Sequence, residues 1–157
     1  MQEPTTVDIP IRPHIKAYIE NNHFLRSEKQ WKHTDPIWPI FNDCLTGKRT
    51  RWNYIQLRPG TYITITLTTN KARSYRMCLN QHQAEKFNNM IERFMMYEFC
   101  LTATLLINQT NKKKNQIIDE FLLKYNFSEK EMTHERLRKA LYRHQIKLKT
   151  LSPRARA

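Results

Sequence analysis

The stretch 121–149, FLLKYNFSEKEMTHERLRKALYRHQIKLK, decides how the second half of this chain folds. It reads as two helices separated by a joint. The segment IIDEFLLKYNF places Ile117, Ile118, Phe121, Leu122 and Tyr125 at helical spacing, and a second periodic segment follows from residue 133. Ser128 with Glu131 has the spacing of a capping box, and Thr133 is suited to cap the second helix. On a wheel of about 100° per residue, Leu141, His144, Leu148, Ala140 and Thr133 fall within about 60° of Leu137. Arg136, Arg138, Lys139, Tyr142, Arg143 and Lys147 lie outside that sector. One stripe can therefore pack while the rest of the cylinder stays cationic. That is what a helix needs in order to enter a groove of about 12 Å and meet phosphates or base edges. The plain alternative is a solvated basic face on an ordinary surface helix.

Working back, residues 81–108 read as a long helix, with Asn80 and Gln83 at capping-box spacing. Phe87, Ile91, Phe94, Met95, Leu101, Leu105 and Leu106 give it a broad apolar face, so it is expected to be the most buried helix. Residues 112–126 form the next helix. Lys112, Lys113 and Lys114 stand at its start, where cations oppose the helix dipole at a few tenths of a kcal/mol each. Contact with phosphate would offset that cost.

The first half is β-rich. TTVDIPI (5–11) reads as a short strand, with Pro10 restricting it to an edge. PHIKAYIENN (13–22) reads as a helix with Pro13 in its first turn. Residues 23–50 read as a loop or short helical turns, since Pro36 and Pro39 oppose a long helix. RWNYIQL (51–57), TYITITLT (61–68) and SYRMCL (74–79) read as an antiparallel meander. In its middle strand Ile63, Ile65 and Leu67 alternate with Thr64 and Thr66, which predicts the isoleucines inside and the threonines outside.

The fold class predicted is α+β. Residues 1–79 form a small meander lobe with an N-terminal strand and helix. Residues 80–150 form a helical lobe with a helix-turn-helix-like end, and 151–157 form a disordered tail.

Charge is the loudest global signal. There are 27 Lys and Arg against 14 Asp and Glu, a net charge of +13. A value this far from zero speaks about partners, and polyanions come first. Two blocks hold no acid. Residues 44–84 carry seven cations, and eight more follow from 136 onward. In the first block Arg49, Arg51, Arg73 and Arg76 interleave with Trp52, Tyr54 and Tyr75, a mixture suited to single strands. Aromatics also favour strands for packing reasons alone.

Signals for other classes are weak. Leu137, not Arg, stands three residues after His134, which departs from the His-x-x-Arg box of tyrosine recombinases. No GxxxxGK[ST] loop occurs and the chain has two glycines. Cys78 and His82 lack a second pair to complete a zinc site. No catalytic residue, metal or cofactor is expected. Cys44, Cys78 and Cys100 are odd in number and widely spaced, as in a reducing, cytoplasmic compartment. The N-terminus has no apolar signal region, and LTATLLI is far short of a membrane span.

The stretches VDIPIRPHIKAYI (7–19) and FLLKYNFSEKEMTHERLRKALYRH (121–144) resemble small basic proteins of Bacteroidetes phages and mobile elements, many described as DNA-binding. They cover about a quarter of the chain. HERLRKALYRHQ keeps the cations and one tyrosine of that group's final helix and loses other tyrosines. The resemblance implies a non-enzymatic DNA-binding regulator or replication accessory in a bacterial cytoplasm. The alternatives are a virion structural or packaging protein, or an inhibitor of an acidic protein partner. The sequence leaves open DNA against RNA, the binding site, self-association and the host.

Overall fold

The computed structural model describes residues 5–22, 37–45, 62–67 and 81–151. These form an α+β fold with five helices and a two-stranded antiparallel sheet. In chain order the elements are β1 (Thr5–Pro10), α1 (Pro13–Asn21), α2 (Ile37–Leu45), β2 (Tyr62–Leu67), α3 (Gln81–Gln109), α4 (Lys114–Lys124) and α5 (His134–Leu151). Two compact units divide the chain, 1–92 and 93–157. The expected lobe boundary at 79/80 lies before α3, whereas the division falls within it. The reason is packing: Phe87 meets Phe41 edge-on at 6.1 Å, so the first turns of α3 belong to the first unit's core.

In the first unit β1 pairs with β2, with Val7 opposite Ile65 and Ile9 opposite Ile63. Ile9, Ile63 and Ile65 are buried, as the alternation requires, while Thr64 is half-buried and donates its hydroxyl to Asp8 at 2.7 Å. The outer meander strands expected at 51–57 and 74–79 lie outside the described residues, as does the tail at 152–157. Pro13 opens α1, which buries Ile15, Tyr18 and Ile19. A polar knot ties the β1–α1 junction to α3. The Arg12 amide donates to Asn88 Oδ1 at 2.8 Å, and Asn88 Nδ2 donates to the Pro10 carbonyl at 3.0 Å. The Arg12 guanidinium reaches Glu92 and Asn89.

One segment is more regular than its prolines suggest. α2 runs nine residues through Pro39. Pro39 stands third in the helix, where its missing amide is an orphan in any case. Ile37, Trp38, Phe41 and Cys44 then share the buried face.

In the second unit α3, α4 and α5 enclose Phe99, Ala103, Ile118, Phe121, Tyr125, Met132, Leu137 and Leu141. Rings cluster around Phe121, at 4.8 Å from Phe99 and 4.9 Å from Tyr125. α3 buries Ala84, Phe87, Asn88, Ile91, Met95, Phe99, Cys100 and Ala103, but part of its apolar face stays uncovered. Phe94, Tyr97, Leu101 and Leu105 are all more than 40% exposed. α4 packs on the side of α3 that carries Phe99 and Ala103.

Candidate nucleic-acid interface

The joint between α4 and α5 is built by local chemistry. Asn126 has φ 51°, the left-handed region. It stands one residue past the end cap Tyr125. The Phe127 amide donates to the Leu122 carbonyl at 3.0 Å and the Asn126 amide to Leu123 at 3.1 Å. This is a Schellman closure, and Asn is the side chain that best tolerates its backbone after Gly. The Phe127 ring folds back to 6.0 Å from Phe121, the apolar contact that accompanies such an end.

Residues 125–133 then lead into α5. Amides 131 and 132 both donate to the Ser128 carbonyl at 3.0 Å, a single turn. Thr133 Oγ1 accepts from the Arg136 amide at 3.2 Å, so Thr133 caps α5. The joint is longer than the three- or four-residue turn of DNA-binding helix-turn-helix motifs.

Leu137 and Leu141 anchor α5, with Ala140 and His144 half-buried beside them. The expected stripe stops there, since Leu148 is 43% exposed. The reason lies in α4. Its first residue, Lys114, donates from Nζ to Gln145 Oε1 at 3.0 Å, and nearer its middle Asp119 Oδ1 lies 3.7 Å from His134 Nε2. From Ile146 onward α5 has passed the start of α4.

The candidate cations fall into three groups. Arg138 pairs with Glu135, and Lys139 lies 3.5 Å from the same carboxylate. Arg136 is engaged as well. Lys112 is held by both oxygens of Glu120, at 2.7 and 2.9 Å. Lys112 thus has a carboxylate partner, whereas Lys114 meets only a neutral amide and keeps its charge uncompensated by it. Lys113 is exposed, and its amide donates to Gln116 Oε1 at 3.0 Å. Arg143 and Lys147 are exposed and have no ion-pair partner among the described residues. Lys149, which helical spacing does not single out, joins them. Tyr142 is 65% exposed among them. Arg49, Arg51, Arg73 and Arg76 lie outside the described residues.

Among the described cations of α5, those without an ion-pair partner sit on its C-terminal half. Glu135 neutralises the N-terminal half, and no acid follows it in the helix. The Lys114–Gln145 bond carries the start of α4 to the flank of the same surface, so two basic segments far apart in sequence meet.

Other chemistry is sparse. A cavity of about 140 Å³ lies between α3 and α4, floored by Phe99, Ala103, Ile117 and Phe121. Its rim carboxylates, Glu98 and Glu120, already hold Lys124 and Lys112. Among the described residues no group of three or more His, Cys, Asp or Glu could hold a metal ion, and no helix is long and apolar enough to cross a membrane. Cys44 and Cys100 are free and buried. Burial pushes the Cys44 thiol up to about 11, partly offset by Lys86.

No protein-family model matches this chain, and no curated protein and no solved structure matches it either.

Proposed function

We propose that this is a non-enzymatic nucleic-acid-binding protein that engages DNA through α5. The reading is supported by one observation above the others. Arg143, Lys147 and Lys149 have no ion-pair partner among the described residues and share the outward side of α5 with an exposed Tyr142, on a helix whose opposite side is anchored by Leu137 and Leu141. A helix anchored by two buried leucines meets a polyanion with its backbone already ordered, so only the exposed side chains lose freedom on binding. The charge of +13 draws such a partner from a distance. The resemblance of 7–19 and 121–144 to basic proteins of phages and mobile elements agrees with a role as regulator or replication accessory in a bacterial cytoplasm.

The test is a salt titration of duplex DNA binding by the full chain and by Arg143→Ala/Lys147→Ala. Both residues are exposed, so folding should change by a few tenths of a kcal/mol at most. The slope of log K against log salt should fall by about one to two units. Unchanged affinity and slope at every salt concentration would leave α5 a solvated basic face. The virion or inhibitor reading would then take over.

A further inference from the structure

The outward face of α5 is not uniformly charged. Tyr142 and Ile146 are one turn apart on it, 65% and 43% exposed. With Leu137 at zero on the wheel they lie at about 140° and 180°, opposite the packed stripe. Lys149 lies at about 120°, beside Tyr142, and Arg143 and Lys147 at about 240° and 280°, beyond Ile146. Lys114 adds its ammonium from the flank at Gln145. An aromatic ring and an aliphatic chain thus form a strip with cations on both sides.

We propose that this strip is a stacking site for an unpaired nucleotide: the base lies on Tyr142 and Ile146, and the neighbouring phosphates meet Lys149 on one side and Arg143 and Lys147 on the other. The inference rests on the nucleic-acid reading above and names the ligand class of that site. A duplex hides the faces of its bases and offers only edges, sugars and phosphates. Against a duplex the Tyr142–Ile146 strip would gain little. An unpaired base offers a flat apolar face of matching size, and its backbone supplies the anions that the flanking cations lack. Base stacking on an aromatic ring does not depend on the base's identity, so sequence preference should be weak.

The probes are a fluorescent oligodeoxyuridylate, an oligouridylate and abasic strands of equal length on each sugar, together with a duplex. All are measured by anisotropy with the full chain, with Tyr142→Ala and with Tyr142→Phe. Each abasic strand keeps every phosphate and lacks every base. The parent chain should prefer a base-bearing strand over the abasic one on the same sugar by roughly tenfold to a hundredfold. The larger of the two ratios names deoxyribose or ribose as the source. Tyr142→Ala should erase the preference of base-bearing over abasic strands, and Tyr142→Phe should keep it. Equal binding of base-bearing and abasic strands by the parent chain overturns this inference alone. So does a preference that survives in Tyr142→Ala. Absence of binding to every probe overturns the nucleic-acid reading itself.

Discussion

Lys114 Nζ and Gln145 Oε1 meet at 3.0 Å across 31 residues of sequence, joining the first turn of α4 to the third quarter of α5. The bond places one lysine of the 112–114 run on the border of the unpaired face. Lys112, two residues earlier, is held instead by Glu120.

This difference predicts unequal roles for two neighbouring lysines. Lys114→Met should lower the salt slope of DNA binding by about one unit. Lys112→Met should leave the slope nearly unchanged, because its charge is already compensated. Equal losses in the two variants would place both ammonium groups on phosphate and contradict the pairing.

Glu135 should act as a brake on the same surface. Its carboxylate holds Arg138 and Lys139. Glu135→Gln releases both cations and removes one negative charge. DNA affinity at low salt should rise several-fold and the slope should steepen, which a titration of the variant beside the parent would show. Folding should lose less than about 1 kcal/mol, since all three side chains are exposed.

Two helical leucines should behave differently. Leu137 is fully buried and Leu101 is 44% exposed. Leu137→Ala should cost about 2–5 kcal/mol by leaving a cavity. Leu101→Ala should cost well under half of that. Urea denaturation followed by circular dichroism ranks them, and a reversed ranking would refute the described packing of the second unit.

Asn126 carries the end of α4 in the left-handed region, at φ 51°. Asn126→Gly should match or slightly exceed the parent in stability. Asn126→Val should lose about 1–2 kcal/mol, because a β-branched side chain crowds the carbonyl there. Thermal melts of the pair provide the comparison.

Cys44 should resist alkylation in the native state. Burial raises its pKa from 9.0 to about 11, so little thiolate exists near pH 8. Iodoacetamide should label it at once in urea and slowly without it, as peptide mass spectrometry would report. The sign of the pH effect follows from the same shift. The stability that this thiol contributes is complete below pH 9 and is lost as pH rises toward 11, because the unfolded chain sheds the proton first.

Much of the local structure is readable in the sequence because it is made by local forces. Pro13 at the head of α1, Thr133 as the cap of α5 and the alternation of Ile63 and Ile65 in β2 each depend on residues within one turn or one strand pair. The sequence by itself thus determines the α+β class, the places of α1, β2, α3, α4 and α5, and the two leucines that anchor α5. Periodicity shows that a face is apolar and cannot show that anything covers it. Only the tertiary structure exposes Phe94, Tyr97, Leu101 and Leu105, because α4 packs on the side of α3 that carries Phe99 and Ala103. The same limit applies to charge. Composition counts cations, but which of them stay unpaired depends on the reach of Glu135, Glu120 and Gln145 in space. Folding therefore moves the candidate surface from the whole of α5 to its C-terminal half, where Arg143, Lys147 and Lys149 flank the Tyr142–Ile146 strip and no carboxylate follows in the helix.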